Sequence, residues 1–97
     1  MKLDITNAAL ADLRAIRDYT LDQWGERQEA IYINEMWAKF EEMASHPEHF
    51  RERKDLFPGC RIAVQGQHII LFKVDSESLQ VVRVLHSAMD FKRHISE

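Results

Sequence analysis

A single cysteine, Cys60, leaves no disulfide to form within the chain, which removes the covalent framework on which many small exported domains depend. Nowhere do 18 or more apolar residues run together, so no membrane-spanning helix is expected. No apolar h-region follows Met1, and a cytoplasmic protein is the expectation. There is no GxGxxG, no Walker loop, no HExxH and no CxxC pair, so dinucleotide, P-loop and zinc-protease chemistry lack their usual signatures. No cofactor or metal is called for. Internal repeats, low-complexity tails and linkers are missing too. Glycine and proline number only three and two, so each one punctuates the chain.

What is present suits a single domain spanning residues 1–97. Chains of this size bury roughly 60 to 70% of their extended surface, enough for one core but not two. Apolar residues make up 45% and charged residues 30%, which supports a core inside a polar surface and excludes disorder. The net charge of −3 argues against a chain that grips nucleic acid over its whole surface. The charge is unevenly divided. Residues 1–50 carry five Lys or Arg against ten Asp or Glu, whereas residues 51–97 carry eight against six.

Lys2 to Thr6 alternates Leu3 and Ile5 with polar neighbours and reads as a strand at the sheet's edge. Thr6 or Asn7 can cap the helix that follows. Ala9, Leu13, Ile16, Thr20 and Trp24 recur at helical spacing over Ala8 to Trp24, and Gly25 breaks the pattern. A second helix, about Glu26 to Ser45, carries Ile33, Trp37, Phe40 and Ala44 on one side, broadened by Ala30, Met36 and Met43. Both tryptophans are expected in the core by their register. Tyr32 falls off the stripe, leaving an exposed contact role open. Pro47 ends the helix, and one glycine between the two helices implies an antiparallel hairpin.

His46 to Gly59 is a charged connector whose histidines, His46 and His49, read as solvated. Arg61 to Val64, His68 to Val74 and Leu79 to His86 then read as three strands joined by short hairpins. The fold class expected is α+β: an N-terminal helical hairpin packed on a small antiparallel sheet of three or four strands, with Asp90 to Glu97 a short final helix or tail.

Candidate functional residues gather late in the chain: Arg61, Arg83, His86, Arg93 and His94. Arginine can hold a phosphate through charge-assisted hydrogen bonds, and histidine exchanges protons near neutral pH. Strand alternation places Arg83 and His86 on opposite faces unless the ladder bends at Leu85. Asp90 reads as a structural or tail-anchoring residue, pairing with Arg83 or capping the terminal segment. A lone Cys60 beside a turn reads as structural.

Ala9, Asp12-Leu13, Ile16, Tyr19, Trp24-Gly25, Ala30 and Tyr32, followed by Pro47, Gly59 and the run Gly66 to Phe72, resemble the ParE-type toxins of the RelE/ParE superfamily. The resemblance is strongest at Arg83-Val84-Leu85-His86, Met89-Asp90 and Arg93-His94. It implies a toxin of a type II toxin-antitoxin module, silenced by a cognate antitoxin whose C-terminal part wraps the toxin while its N-terminal part binds operator DNA. ParE-type members act on DNA gyrase and stabilise cleaved DNA; RelE-type members cleave mRNA in the ribosome. The ribonuclease branch uses basic side chains on the sheet with histidine and tyrosine near the end of the last strand. Arg61, Arg83 and His86 fill some such positions. No tyrosine follows Tyr32, however, and the strands offer no evident carboxylate base. The resemblance therefore points to gyrase inhibition by protein contact, without catalytic residues, with a ribosome-dependent mRNA endoribonuclease as the alternative.

Overall fold

The first strand, β1 (Lys2–Ile5), stops where Thr6 turns the chain into helix α1 (Asn7–Trp24). In the computed structural model, which describes residues 1–95, the Thr6 hydroxyl oxygen accepts from the Ala9 amide at 3.0 Å and donates to the Val82 carbonyl at 2.8 Å. One side chain thus caps a helix and ties it to the sheet. Losing such a cap costs about 1 to 2 kcal/mol. Thr6→Ala should lower stability by that amount in urea titration, and a change below a few tenths would show the cap to be dispensable.

Gly25 separates α1 from α2 (Glu26–Ser45), adopting φ +89° in the left-handed half of backbone space that a side chain disfavours. A 3-10 turn (Pro47–His49) and an irregular connector lead to β2 (Arg61–Gln65), β3 (His68–Val74) and β4 (Ser78–His86), and a short helix, α3 (Phe91–Ile95), follows. These boundaries lie close to those expected from the residues. Ser96 and Glu97, the end of the expected terminal segment, lie outside the described residues. Among the described residues no helix is long and apolar enough to cross a membrane.

The strand order is β1-β4-β3-β2. β2, β3 and β4 are antiparallel as the hairpins require, and β1 joins β4 in parallel, making the sheet mixed. Against the helices lie Ile70 and Phe72 of β3 with Leu79, Val81 and Val84 of β4, packed on Ala9, Ile16, Met36, Phe40 and Met43. Each large side chain fully removed from water contributes about 1.5 to 3 kcal/mol, so Phe40 and Phe72, both 0% exposed, anchor this layer. The opposite sheet face buries Leu71, Leu85 and Cys60 beneath Leu56, Phe57, Phe91 and Ile95. This second core is why β3 is apolar on both faces. Burial raises the Cys60 thiol to about 11, so it stays protonated and unreactive at neutral pH.

Two expectations need correction. Trp24 and Trp37 are 70% and 41% exposed. Trp24 is the last residue of α1 and lines an open cleft, and Trp37 meets Phe40 of the core edge-on, ring centroids 5.2 Å apart. Helical register gives the direction of a side chain but not how far the layer beneath extends.

Candidate functional site

The sheet's alternation shifts phase once. Leu71 faces Arg83 while Phe72 faces Val81, so Val82 is an extra residue, a β-bulge in β4. The bulge lies before Arg83 rather than at Leu85, and Arg83 and His86 therefore remain on opposite faces. His86 turns to the helix side opposite His68, and Arg83 turns to the side covered by α3.

Arg83 is bonded to both α1 and α3. Its Nε and Nη2 donate to the two oxygens of Asp12 at 2.8 and 2.9 Å, and Nη1 donates to the His94 carbonyl at 2.9 Å. Asp12 also accepts from the Val84 amide at 2.9 Å. The register of β1 ends at Val81, so the Asp12 carboxylate takes the place that a longer β1 would have filled along β4. A bidentate pair of this kind is strong and directional. It joins α1, β4 and α3 at one point. Arg83 thus pairs with Asp12 and not Asp90. Asp90 stands at the start of α3, where its carbonyl accepts from the His94 amide and its carboxylate lies 3.4 Å from the Arg93 amide. Arg93 is exposed and His94 half-buried on that helix.

Arg61 lies elsewhere, on β2, donating to the Phe50 carbonyl at 2.8 Å and to Glu52 at 3.2 Å. The arginines and His86 therefore do not converge.

On the helix side an open cleft of about 1040 Å³ runs between α1, α2 and the ends of β3 and β4, lined by Tyr19, Trp24, Tyr32, His68, His86 and Met89 among others. Among the described residues no Asp, Glu, Lys or Arg lines it. Within it the Tyr32 hydroxyl is 2.7 Å from both the Gln65 carbonyl and His68 Nδ1. A carbonyl can only accept, so the phenol proton points to Gln65 and the network assigns the His68 proton to Nδ1, donating to the phenol oxygen. His86 is the other tautomer, its Nδ1 accepting from the Ala88 amide at 3.1 Å. The two imidazoles meet edge to face at 5.6 Å. Residue reading left this set unassembled. Its trace was His68, which shares its alternating set with the core residues Ile70 and Phe72.

Burial, followed by the neighbouring His86, lowers the pKa of His68 below the usual histidine value. Burial likewise raises the Tyr32 phenol. Both groups are held neutral. For His68 the unfolded state binds the proton more readily, so its contribution to stability is fully present above about pH 6.5 and falls away as pH drops through the lowered folded value. His68→Gln should flatten the decline in stability between pH 7 and 5 seen in denaturant titrations. An unchanged slope would show that other groups cause it.

With this geometry in view, the likeness to known proteins becomes specific. Residues 3–91 match the family model described as ParE toxin of type II toxin-antitoxin system, parDE. The chain belongs to the ParE toxin family. Toxin ParE1 of Mycobacterium tuberculosis is 35% identical over 92 residues, covering 94% of both chains. Toxin ParE1 of Caulobacter vibrioides is 32% identical over 91 residues, with 94% of each covered. Toxin ParE of Escherichia coli is 30% identical over 94 residues, covering 96% of this chain and 91% of the relative. The fold is shared with a solved chain of the chromosomal ParDE system of P. aeruginosa, with TM-score 0.76 at 22% identity over 89% of this chain and 95% of that one. It is shared more loosely with the RelBE2 toxin-antitoxin complex of M. tuberculosis, with TM-score 0.55 at 20% identity over 88% and 95%. As a ParE toxin, the chain keeps Asp12, Arg83 and Tyr32 for internal bonds, and its cleft is aromatic and uncharged.

Proposed function

We propose that this ParE-type toxin inhibits DNA gyrase by protein contact in the cytoplasm, stabilising cleaved DNA, and that a cognate antitoxin neutralises it. The observation that carries the reading is the separation of arginine from imidazole. RNA cleavage by general acid and base needs cationic groups on the phosphate within reach of proton-transfer groups. Here His68, His86 and Tyr32 share a cleft lined by no Asp, Glu, Lys or Arg among the described residues, while Arg83 is bound to Asp12 and the His94 carbonyl across the sheet. Arg61, at 27% side-chain exposure, is paired with Glu52. The target-contact surface is then α3, where Lys92 and Arg93 are exposed, with His94 beside them and Asp90 anchoring the segment. Arg83 contributes by holding α3 in place.

An antitoxin partner is supported by the family and by solved relatives that are toxin-antitoxin systems. The uncharged cleft with exposed Tyr19, Trp24 and Met89 suits apolar side chains of a wrapping segment. Operator DNA is reached only through that complex. The second reading, ribosome-dependent mRNA cleavage, has one observation in its favour: Tyr32, His68 and His86 are a proton-transfer set. Purified toxin should block gyrase supercoiling or trap linear DNA, and antitoxin should reverse the effect. No effect at large excess, with new mRNA ends appearing after brief expression, would transfer the assignment to cleavage.

A further inference from the structure

Where α2 ends, the chain reads His46-Pro47-Glu48-His49. Pro47 opens a 3-10 turn, closed by hydrogen bonds from the His49 amide to the His46 carbonyl at 3.0 Å and from the Phe50 amide to the Pro47 carbonyl at 3.1 Å. A 3-10 helix has three residues per turn, so side chains at positions i and i+3 lie over one another. His46 and His49 do so: their rings stack at 4.8 Å with an interplanar angle of 8°. Glu48 reaches toward the same spot, its Oε1 lying 3.6 Å from His46 Nδ1 and 3.9 Å from His49 Nε2. One donor atom from each residue falls within 4.8 Å of the others. Ligands bonded at about 2.0 to 2.2 Å around a tetrahedral ion are separated by roughly 3.3 Å, so the three atoms need to close by up to about 1.5 Å, and the stacked rings must swing so that their in-plane lone pairs converge. All three side chains are exposed, at 58 to 65%, and can make that adjustment by rotation.

We propose that His46, Glu48 and His49 form a surface site for a divalent transition-metal ion of the zinc class. Two imidazoles and a carboxylate are a donor set for zinc, nickel or copper(II); magnesium and calcium prefer all-oxygen sites. Three protein ligands leave the fourth position to water or to a group from another molecule. The turn's proline and its two backbone bonds hold the backbone of all three ligands in place, which cuts the ordering cost of binding. Exposure keeps the affinity moderate. A bound ion would fasten the C-terminal end of α2 to the connector that follows. The site lies apart from the cleft and from α3, and it is independent of the gyrase reading.

The test is isothermal titration of tag-free protein with zinc chloride alone, alongside nickel chloride and magnesium chloride. One zinc per chain should bind saturably, nickel should compete, and magnesium should give no saturable heat. His46→Gln/His49→Gln should weaken zinc binding about tenfold or more, because even outer partners of metal ligands shift affinity by that factor. Glu48→Gln, which keeps both imidazoles and the turn, should weaken it by a smaller factor. In NMR spectra, zinc-induced shifts should centre on residues 46–50. Undiminished binding by the double variant, equal binding of magnesium, or no saturation up to about 1 mM zinc would overturn the assignment. Unchanged circular dichroism of the variants excludes loss of fold as the cause of a weaker isotherm.

Discussion

Asp12→Ala is expected to cost about 3 kcal/mol, the low end of what breaking a buried ion pair costs. The two side chains are 14% and 23% exposed, so water screens the pair only in part. Removing the carboxylate takes from the Arg83 guanidinium its bidentate partner and from the Val84 amide its acceptor, and the lost bonds add a desolvation penalty. For a chain of this size such a loss lowers the melting temperature by roughly 12 to 24 °C. Asp12→Asn, which keeps one acceptor, should lose less. Arg83→Glu should abolish toxicity by destabilising the fold and releasing α3. Arg93→Glu, on an exposed position, should weaken toxicity while changing stability by less than about 1 kcal/mol. Lys39→Glu should leave both nearly unchanged, since Lys39 makes an i,i+3 pair with Glu42, worth a few tenths of a kcal/mol. Urea titration checks the first set, and growth inhibition checks the second. If Asp12→Ala unfolds within 0.5 kcal/mol of the parent, about the size of an ordinary surface change, the clip carries no weight and Arg83 returns as a contact residue.

Gly66→Ala comes next, at about 2 to 3 kcal/mol. Gly66 sits at φ +57°, a left-handed conformation that costs an L-residue roughly 1 to 2 kcal/mol. A Cβ there would also stand 2.7 Å from the Tyr32 ring and hydroxyl. Tyr32 must move, giving up its bonds to Gln65 and His68 and opening the cleft wall, which adds about 1 kcal/mol. Asparagine tolerates the left-handed region and usually rescues such a turn; here it should not, because its Cβ meets the same ring. In a Tyr32→Ala background Gly66→Ala should cost about 1 kcal/mol less, a coupling that a double-mutant cycle reads directly. Full additivity would show that the ring and the glycine do not press on each other.

The elements were legible because their periods are clean. Ala9, Ile16 and Thr20 at helical spacing, and Ile70 and Phe72 at strand spacing, lie buried where their periodicity points. The closing contacts were not, for reasons tied to particular residues. Asp12 and Arg83 are separated by 71 positions and Tyr32 and His68 by 36, and no local pattern reports a pairing at such range. The bulge at Val82 sits in a run of valines whose chemistry is indifferent to phase. Trp24 followed the stripe of its helix but stands at the helix's last residue, largely exposed. The resemblance in residues 83–94 singled out that segment without showing that Arg83 bonds internally to Asp12 and the His94 carbonyl, and the convergence of His46, Glu48 and His49 depends on a turn geometry visible only once folded.

The strand order has a kinetic consequence. β1 is made first, yet its partner β4 is 76 residues away, and a parallel pairing at such separation forms slowly because a long loop must close before any contact rewards it. The Thr6 cap bond to Val82 and the Asp12 bonds to Arg83 and Val84 wait on the same strand. Residues 78–86 must therefore be made before either edge of β4 is satisfied. A chain cut before residue 78 lacks β4 and with it the shared partner of β1 and β3, so it cannot complete the sheet.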